Sequence, residues 1–494
     1  MARRGLLHFA LGKVGSAALG ASFLLLTVRL LDPVSYGRYI TVMAMAEMFY
    51  LVTGLGLSTV AQRYVAEYRL RAPASEFAAL LRRQFRRRLV YSACGTGLLL
   101  LAWPQAMAWS GLALDIGWMG PVALLLVASA GVSFLEEVMG ACLLQGYAQG
   151  LAVMRNLLRV TVVVLAARLG DGLQLRTLLW VEALVALASW LAAEALVRRW
   201  ARQTPSAADV APGYQAAAMV AVSRRFYAVQ LVGQAYGVNV VKLLVMRLLG
   251  AGQAAVFGVA QSITDMVRNY LPAQLLAGWV RPLMVARYLQ RQDLDEVCMI
   301  ANLVFKLNLL GLLPLLALSA TVGDTVLAAL SAGRYPEAAG VLTILMLALV
   351  LQTAHLLLSM ITLTLEAPAA NLRATGLAAC TLPLVVWLVA AMGVHGAAWA
   401  MVLTEGVWIT SAFVMLRRHG HRIAVEMGGI AKLSLAAALA AGAATGLVHF
   451  GLSALGAAAA LVVVFVLTCL VLRPATSREI DQISRLLRQR GAAA

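Results

Sequence analysis

Apolar residues run in blocks of about twenty along the chain, separated by short polar connections. About 20 apolar residues in helical form cross the hydrocarbon core of a bilayer. Read this way, the pattern predicts fourteen membrane helices, at 10–31, 38–59, 89–110, 118–140, 149–168, 175–197, 225–249, 254–278, 298–320, 339–364, 372–393, 396–416, 430–450 and 455–472. Arg3 and Arg4 precede an apolar run that continues to about Leu31, with many more behind it. That run is read as a first membrane helix rather than a cleaved leader.

The pattern also repeats. Residues 25–31 read Leu-Leu-Thr-Val-Arg-Leu-Leu, and residues 243–249 read Leu-Leu-Val-Met-Arg-Leu-Leu. The same shift of 218 places Arg29 on Arg247, Tyr39 on Phe257 and Glu47 on Asp265. Both copies begin on the same side, so the predicted architecture is all-α, with two parallel six-helix lobes, a pathway between them, and two extra C-terminal helices. The expected divisions are an N-terminal lobe at 1–200, a linker at 201–223, a second lobe at 224–416, extra helices at 417–472 and a tail at 473–494.

Composition narrows the class further. Of 494 residues, 62% are apolar and 13% charged, against about 45–50% and about 25% in a soluble domain. Soluble enzymes, disordered scaffolds and disulfide-rich modules are excluded. The formal charge is +18. A basic balance can signal nucleic acid, but here Lys and Arg gather in alternate connections, as in cytoplasmic loops. No nucleic-acid partner is expected. With the N-terminus inside, most of the 40 basic residues are cytoplasmic, including Arg86-Arg87-Arg88, and both termini are cytoplasmic. The inner segment 62–88 and the tail read as amphipathic helices lying on the membrane, either mere topological anchors or binders of anionic lipid. The five cysteines are scattered, with no CxxC and no metal-ligand spacing, so no metal or cofactor is expected. There is no GxxxxGK[ST] and no GxSxG, and the outer connections are too short to build a catalytic domain.

The informative residues are charges inside apolar runs, where an ionised group costs about 2.5–3.5 kcal/mol unless it meets a cavity or a partner. Lys242 lies mid-helix, one turn after Asn239. Gln261, Asp265, Arg268 and Pro272 share one face of the next span. Lys306 follows Asn302 by a turn, and Glu47 shares a face with Tyr50 and Gly54. Three cations on three consecutive spans, Lys242, Arg268 and Lys306, point to an anionic substrate group within the membrane. Glu47 and Asp265 are candidates for ion coupling or for holding the cations. The alternative is structural: Asp265 and Arg268 as a local pair, Lys306 snorkelling to the surface. In the tenth span Gln352, His355, Ser359 and Thr362 form a stripe that fits sugar hydroxyls or interhelical hydrogen bonds equally well. His355 could also relay protons, although a lone histidine on a helix is more often structural, and Glu405 stands similarly.

Several runs resemble a known family. Arg29-Leu30-Leu31-Asp32-Pro33-Val34-Ser35-Tyr36-Gly37, Gly54-Leu55-Gly56-Leu57 and Gln62-Arg63-Tyr64-Val65-Ala66-Glu67 resemble the opening of Wzx-type polysaccharide repeat-unit flippases. These belong to the multidrug/oligosaccharidyl-lipid/polysaccharide exporter superfamily. Gly333-Arg334-Tyr335 through Leu342, and Gly393-Val394-His395-Gly396-Ala397-Ala398, resemble its approaches to the tenth and twelfth helices. The resemblance implies a bacterial inner-membrane transporter, not an enzyme. It implies that undecaprenyl-pyrophosphate-linked oligosaccharide is moved to the outer leaflet by alternating access with ion antiport. Polymerase and chain-length proteins would be assembly partners. It places Lys242, Arg268 and Lys306 against the pyrophosphate and acidic sugars. A lipid II flippase and a multidrug exporter of the same superfamily are the nearest alternatives, and a membrane polymerase or glycosyltransferase a more distant one.

Overall fold

A computed structural model describes residues 2–65, 68–69, 74–169, 173–203 and 227–474. Most of the expected linker and of the expected tail lies outside these residues. Among the described residues the secondary structure is helical throughout. The chain folds as two units, 1–258 and 259–494, divided inside one helix.

In the first unit the helices are α1 Ala2–Leu30, α2 Pro33–Gly54, α3 Ala74–Leu101, the short α4 Trp103–Ser110, α5 Met119–Ala141, α6 Gln145–Leu169, α7 Leu175–Gln203 and α8 Val238–Leu249, with the opening turns of α9 Ala251–Tyr270. Pro33 and the Asp32 carboxylate start α2. Proline at the first turn sacrifices no helical hydrogen bond, and Asp32 accepts from the free Ser35 N–H at 3.0 Å. Helix α5 packs on α7, α3 on α5, and α1 on α6. One core joins Phe77 and Leu81 of α3 to Leu135 and Met139 of α5 and Ala193 of α7. Helix α8 lies along α2.

The second unit continues α9 and adds α10 Pro272–Arg291, α11 Leu294–Thr321, α12 Gly323–Ser331, α13 Ala338–Thr364, α14 Pro368–Ala379, α15 Leu382–Arg418, α16 Met427–His449 and α17 Ala454–Leu472. Helix α13 packs on α15 and α11, while α16 pairs with α17 and lies on α11. The seam of α16 and α11 is built from Ala436, Ala440 and Ala444 against Leu309 and Leu313. Small residues there let helix backbones approach closely without any need for water to drive them together.

Ten described stretches are helical, long and apolar enough to cross a bilayer, and the chain is a multi-pass membrane protein. One stretch, Ala369–Arg418, covers two expected spans and bends at Gly393, whose φ of 62° and ψ of −140° suit only glycine. Three other expected spans fall on α2, on α3 with α4, and on α9. These helices carry charges within the window or stop early. Helix α2 ends at Gly54, where Leu55 and Gly56 take φ of 45° and 83°. Helix α9 ends at Tyr270, since Leu271 is extended ahead of Pro272.

The repeat is far more extensive than the three residue pairs seen in the sequence. Shifted by 218, Pro33 at the start of α2 becomes 251, the start of α9. Ala74 of α3 becomes 292, two residues before α11, and Trp103 of α4 becomes 321, two before α12. Met119 of α5 becomes 337, one before α13, and Leu175 of α7 becomes 393, the bend in α15. The breaks at the ends of α2 and α9 also correspond. In each half the second helix of the repeat therefore breaks and resumes, at Leu57–Val60 and Ala61–Val65 in the first half and at Pro272–Arg291 in the second.

Candidate functional site

In the first unit Glu47 of α2 meets Asn239 of α8, the helix that also carries Lys242. The Asn239 side-chain amide donates to Glu47 Oε2 at 2.9 Å. Lys242 follows Asn239 by three residues, so both lie on one face of α8. Glu47 is exposed, Asn239 is buried and Lys242 is half-buried. Lys242 has no hydrogen-bond or ion-pair partner among the described residues. The amide thus fixes the carboxylate and leaves the ammonium free to meet an anion.

The second unit places Arg268 beside Asp265, at 2.8 Å, and Gln261 also donates to Asp265 at 3.0 Å. The local pair expected as the structural alternative is therefore formed, yet the guanidinium stays 39% exposed. Arg268 and Gln352 line one small cleft of about 40 Å³ with Gln274, Asn308 and Thr353. Arg268, expected at an anion, and Gln352, read equally as a sugar contact or an interhelical hydrogen bond, thus line the same cleft. The cleft is held by Asn308, which is wholly buried. Its Oδ1 accepts from Ala273 N–H at 3.1 Å, in the first turn of α10, and its amide donates to Thr353 at 2.8 Å. Asn308→Ala leaves that N–H unpaired, and the expected loss is about 1–3 kcal/mol of stability. A thermal shift of the purified protein in detergent checks it; an unchanged midpoint would show that the strut is dispensable.

The other predicted residues separate. His355 Nδ1 lies 2.6 Å from Glu405 Oε2 of α15, and its ring stacks on Trp408 with centroids 3.5 Å apart. Trp408 in turn donates to Thr375 at 3.2 Å. His355 is thus engaged by α15, one turn from Gln352 and turned to a different neighbour. Ser359 takes part through its carbonyl, which accepts from the Thr362 hydroxyl at 2.8 Å. Lys306 is only 6% exposed, ion-paired with Glu426 ahead of α16, and it donates to the Pro474 carbonyl at 3.3 Å. Its charge joins α11 to the extra helices.

Several buried polar groups escaped the sequence reading. Arg88 is 1% exposed, donates to the Tyr50 carbonyl at 2.8 Å and lies 4.1 Å over the Tyr50 ring. Glu137 neighbours Tyr50, Ser58 and Arg88. Glu182 is fully buried, 2.6 Å from Arg159, and accepts from Tyr39 at 2.9 Å. Arg155 pairs with Glu136 at 2.8 Å, both side chains being half-buried. The shift of 218 was the available signal. It places Arg88 on Lys306, Glu137 on His355, Tyr50 on Arg268 and Trp190 on Trp408. Each half thus carries a buried cation at the same place on corresponding helices, α3 and α11. In the first half Tyr50 and Glu137 accommodate it. In the second, Tyr50 is replaced by a second cation, Arg268, and Glu426 from outside the repeat supplies the counter-charge.

No protein-family model matches the sequence, and no curated protein matches it by sequence. Solved structures do match. A lipid II flippase, MurJ, in an inward closed conformation superposes with a TM-score of 0.71 at 12% identity, over 96% of this chain and 99% of that one. The MATE multidrug transporter DinF-BH gives 0.60 at 16%, over 83% and 94%. An inward-facing multidrug resistance MATE family transporter of the MOP superfamily gives 0.57 at 15%, over 82% and 94%. The chain has the fold of these transporters.

Proposed function

We propose that the protein is a flippase that moves undecaprenyl-pyrophosphate-linked oligosaccharide repeat units across the bacterial inner membrane, for O-antigen, capsule or exopolysaccharide synthesis. It works by alternating access with ion antiport, Glu47 and Asp265 being the coupling carboxylates. The observation that carries this reading is Lys242, a half-buried cation within the span Tyr227–Leu249 with no ion-pair partner among the described residues. An unpaired cation at membrane depth is expensive. A diphosphate on a lipid carrier offsets that cost only while it is bound, which is what a transport site requires. Arg268, partly exposed beside Gln352, supplies a second contact for phosphate or an acidic sugar. The distribution of Lys and Arg supports cytoplasmic termini.

A lipid II flippase is the second reading. It is favoured by the MurJ superposition, which takes in 96% of this chain where the multidrug transporters cited above take in 82–83%. A multidrug cation exporter is disfavoured, because Lys242 and Arg268 would repel its substrate. The deciding experiment is mass spectrometry of undecaprenyl-linked lipids from a deletion strain, combined with external glycosidase. One complete, protected repeat unit, with surface polymer lost and restored by the wild-type gene, is expected. Accumulated lipid II would select the second reading. A unit that external glycosidase cleaves would place the block after flipping and raise a polymerase. No accumulated lipid would remove the flippase reading altogether.

A further inference from the structure

One cleft of the first unit is lined by none of the candidate transport residues. It has a volume of about 820 Å³ and lies among α3, α5 and α7 of the first unit. Its floor is apolar, formed by Leu81, Phe134, Val138 and Val197, with Phe85 half-buried at its side. Arg82, Arg86 and Arg198 stand at its rim. A cleft of this size falls in the range that buries a whole small ligand.

Its position is set by helix direction. Val138 is near the end of α5, Arg198 near the end of α7, and Arg82 and Arg86 in the first half of α3. The C-terminal ends of α5 and α7 therefore meet the N-terminal half of α3 at the cleft, where the arginines gather. At a membrane surface, guanidinium groups reach headgroup depth while an apolar floor continues toward the acyl chains. The charges at the rim do not cancel. Glu194 pairs with Arg198 along α7, which uses one cation. Arg82 makes a weak bond to the Ala78 carbonyl at 3.4 Å, and both Arg82 and Arg86 are exposed.

We propose that this cleft binds an acidic glycerophospholipid of the surrounding membrane, one acyl chain on the Leu81–Phe134–Val138 floor and the phosphate between Arg82 and Arg86. An apolar floor with a doubly cationic rim selects an amphiphile with an anionic head. A soluble anion has no use for the floor, and a zwitterionic lipid does not compensate the net rim charge. The lining of the cleft includes neither Lys242 nor Arg268, so the proposal stands whatever those residues transport.

The test is native mass spectrometry of the full chain, released from nanodiscs of equal dioleoyl-phosphatidylglycerol and dioleoyl-phosphatidylcholine. Wild type is expected to retain phosphatidylglycerol preferentially. The pair Arg82→Gln/Arg86→Gln, at exposed positions that leave the fold intact, is expected to lower retention at least fivefold, since each cation near an anionic surface is worth about that factor. Ala78→Phe, which obstructs the cleft with both arginines kept, is expected to lower it similarly. Arg417→Gln/Arg418→Gln, equally exposed in the second unit, serves as control. Equal retention of the two lipids in wild type would overturn the proposal. So would an equal loss in the control pair, or full retention in Ala78→Phe, because either outcome reduces the effect to general surface charge. Displacement of phosphatidylglycerol by stoichiometric undecaprenyl pyrophosphate would assign the cleft to a transported lipid and overturn it too.

Discussion

Glu182→Ala is expected to yield no folded protein. Glu182 is fully buried and faces both the Arg159 guanidinium and the Tyr39 hydroxyl. Removing the carboxylate leaves the buried Tyr39 hydroxyl without its acceptor and the Arg159 guanidinium, whose side chain is only 22% exposed, without its nearest counter-charge. Breaking one side of a buried ion pair costs about 3–5 kcal/mol, a large part of the stability of most domains. Replacing the whole set is a different operation, often neutral or stabilising by about 1–4 kcal/mol. The second half of this chain provides the pattern. At the shift of 218, Tyr39, Arg159 and Glu182 correspond to Phe257, Leu377 and Ala400, all apolar. The triple variant Tyr39→Phe/Arg159→Leu/Glu182→Ala is therefore expected to fold where Glu182→Ala alone does not. Size-exclusion chromatography and a melting curve in detergent decide the matter. If the single variant folds with an unchanged midpoint, the triad does not hold α2, α6 and α7 together. If the triple variant folds but cannot support polysaccharide export, the triad has a part in transport as well.

The helical architecture was legible because it follows from one requirement. A backbone in hydrocarbon must satisfy its own hydrogen bonds, so apolar blocks of about twenty can only be helices. The early stops of α2 and α9 were less legible. Both Gly54-Leu55-Gly56 and Leu271-Pro272 sit inside apolar runs, and hydropathy is blind to φ and ψ. Gly56 and Pro272 are the residues that carry the information, and only the repeat, which places Gly54 on Pro272, joins them into one feature.

The site was legible in part, and the reason is again physical. Glu47, Lys242, Asp265 and Arg268 stood out because each interrupts an apolar run, and two of the partners predicted on helical spacing, Asp265 and Arg268, do meet. Spacing along one helix cannot choose a partner on another. Lys306 meets Glu426 from far along the chain, and His355 meets Glu405 from a separate helix. Arg88 was hidden for the opposite reason. It follows Arg86 and Arg87, and three consecutive arginines read as one solvated patch. A helix turns by about 100° per residue, so the third of them is directed inward, where Tyr50 receives it.

Lys242→Ala and Arg268→Ala are each expected to abolish surface polysaccharide at unchanged protein level. Neither side chain is buried, and Lys242 leaves behind no partner when truncated, so folding has little to lose. Arg268→Ala frees Asp265, but Gln261 still donates to it. Lys306→Ala should behave differently. Lys306 is nearly inaccessible, and its loss strands Glu426 at the junction of α11 and α16, so protein level should fall together with polysaccharide. The three substitutions thus separate an anion-binding cation from a structural one by a single pair of measurements, polymer and protein, in the same strain. Lys242→Arg supplies the further check: it keeps the charge and should retain a measurable part of the export that Lys242→Ala loses. Normal polymer in both Lys242→Ala and Arg268→Ala would remove the cationic site from the transport path. Polymer lost only in proportion to protein would place these residues, like Lys306, in the frame rather than in the site.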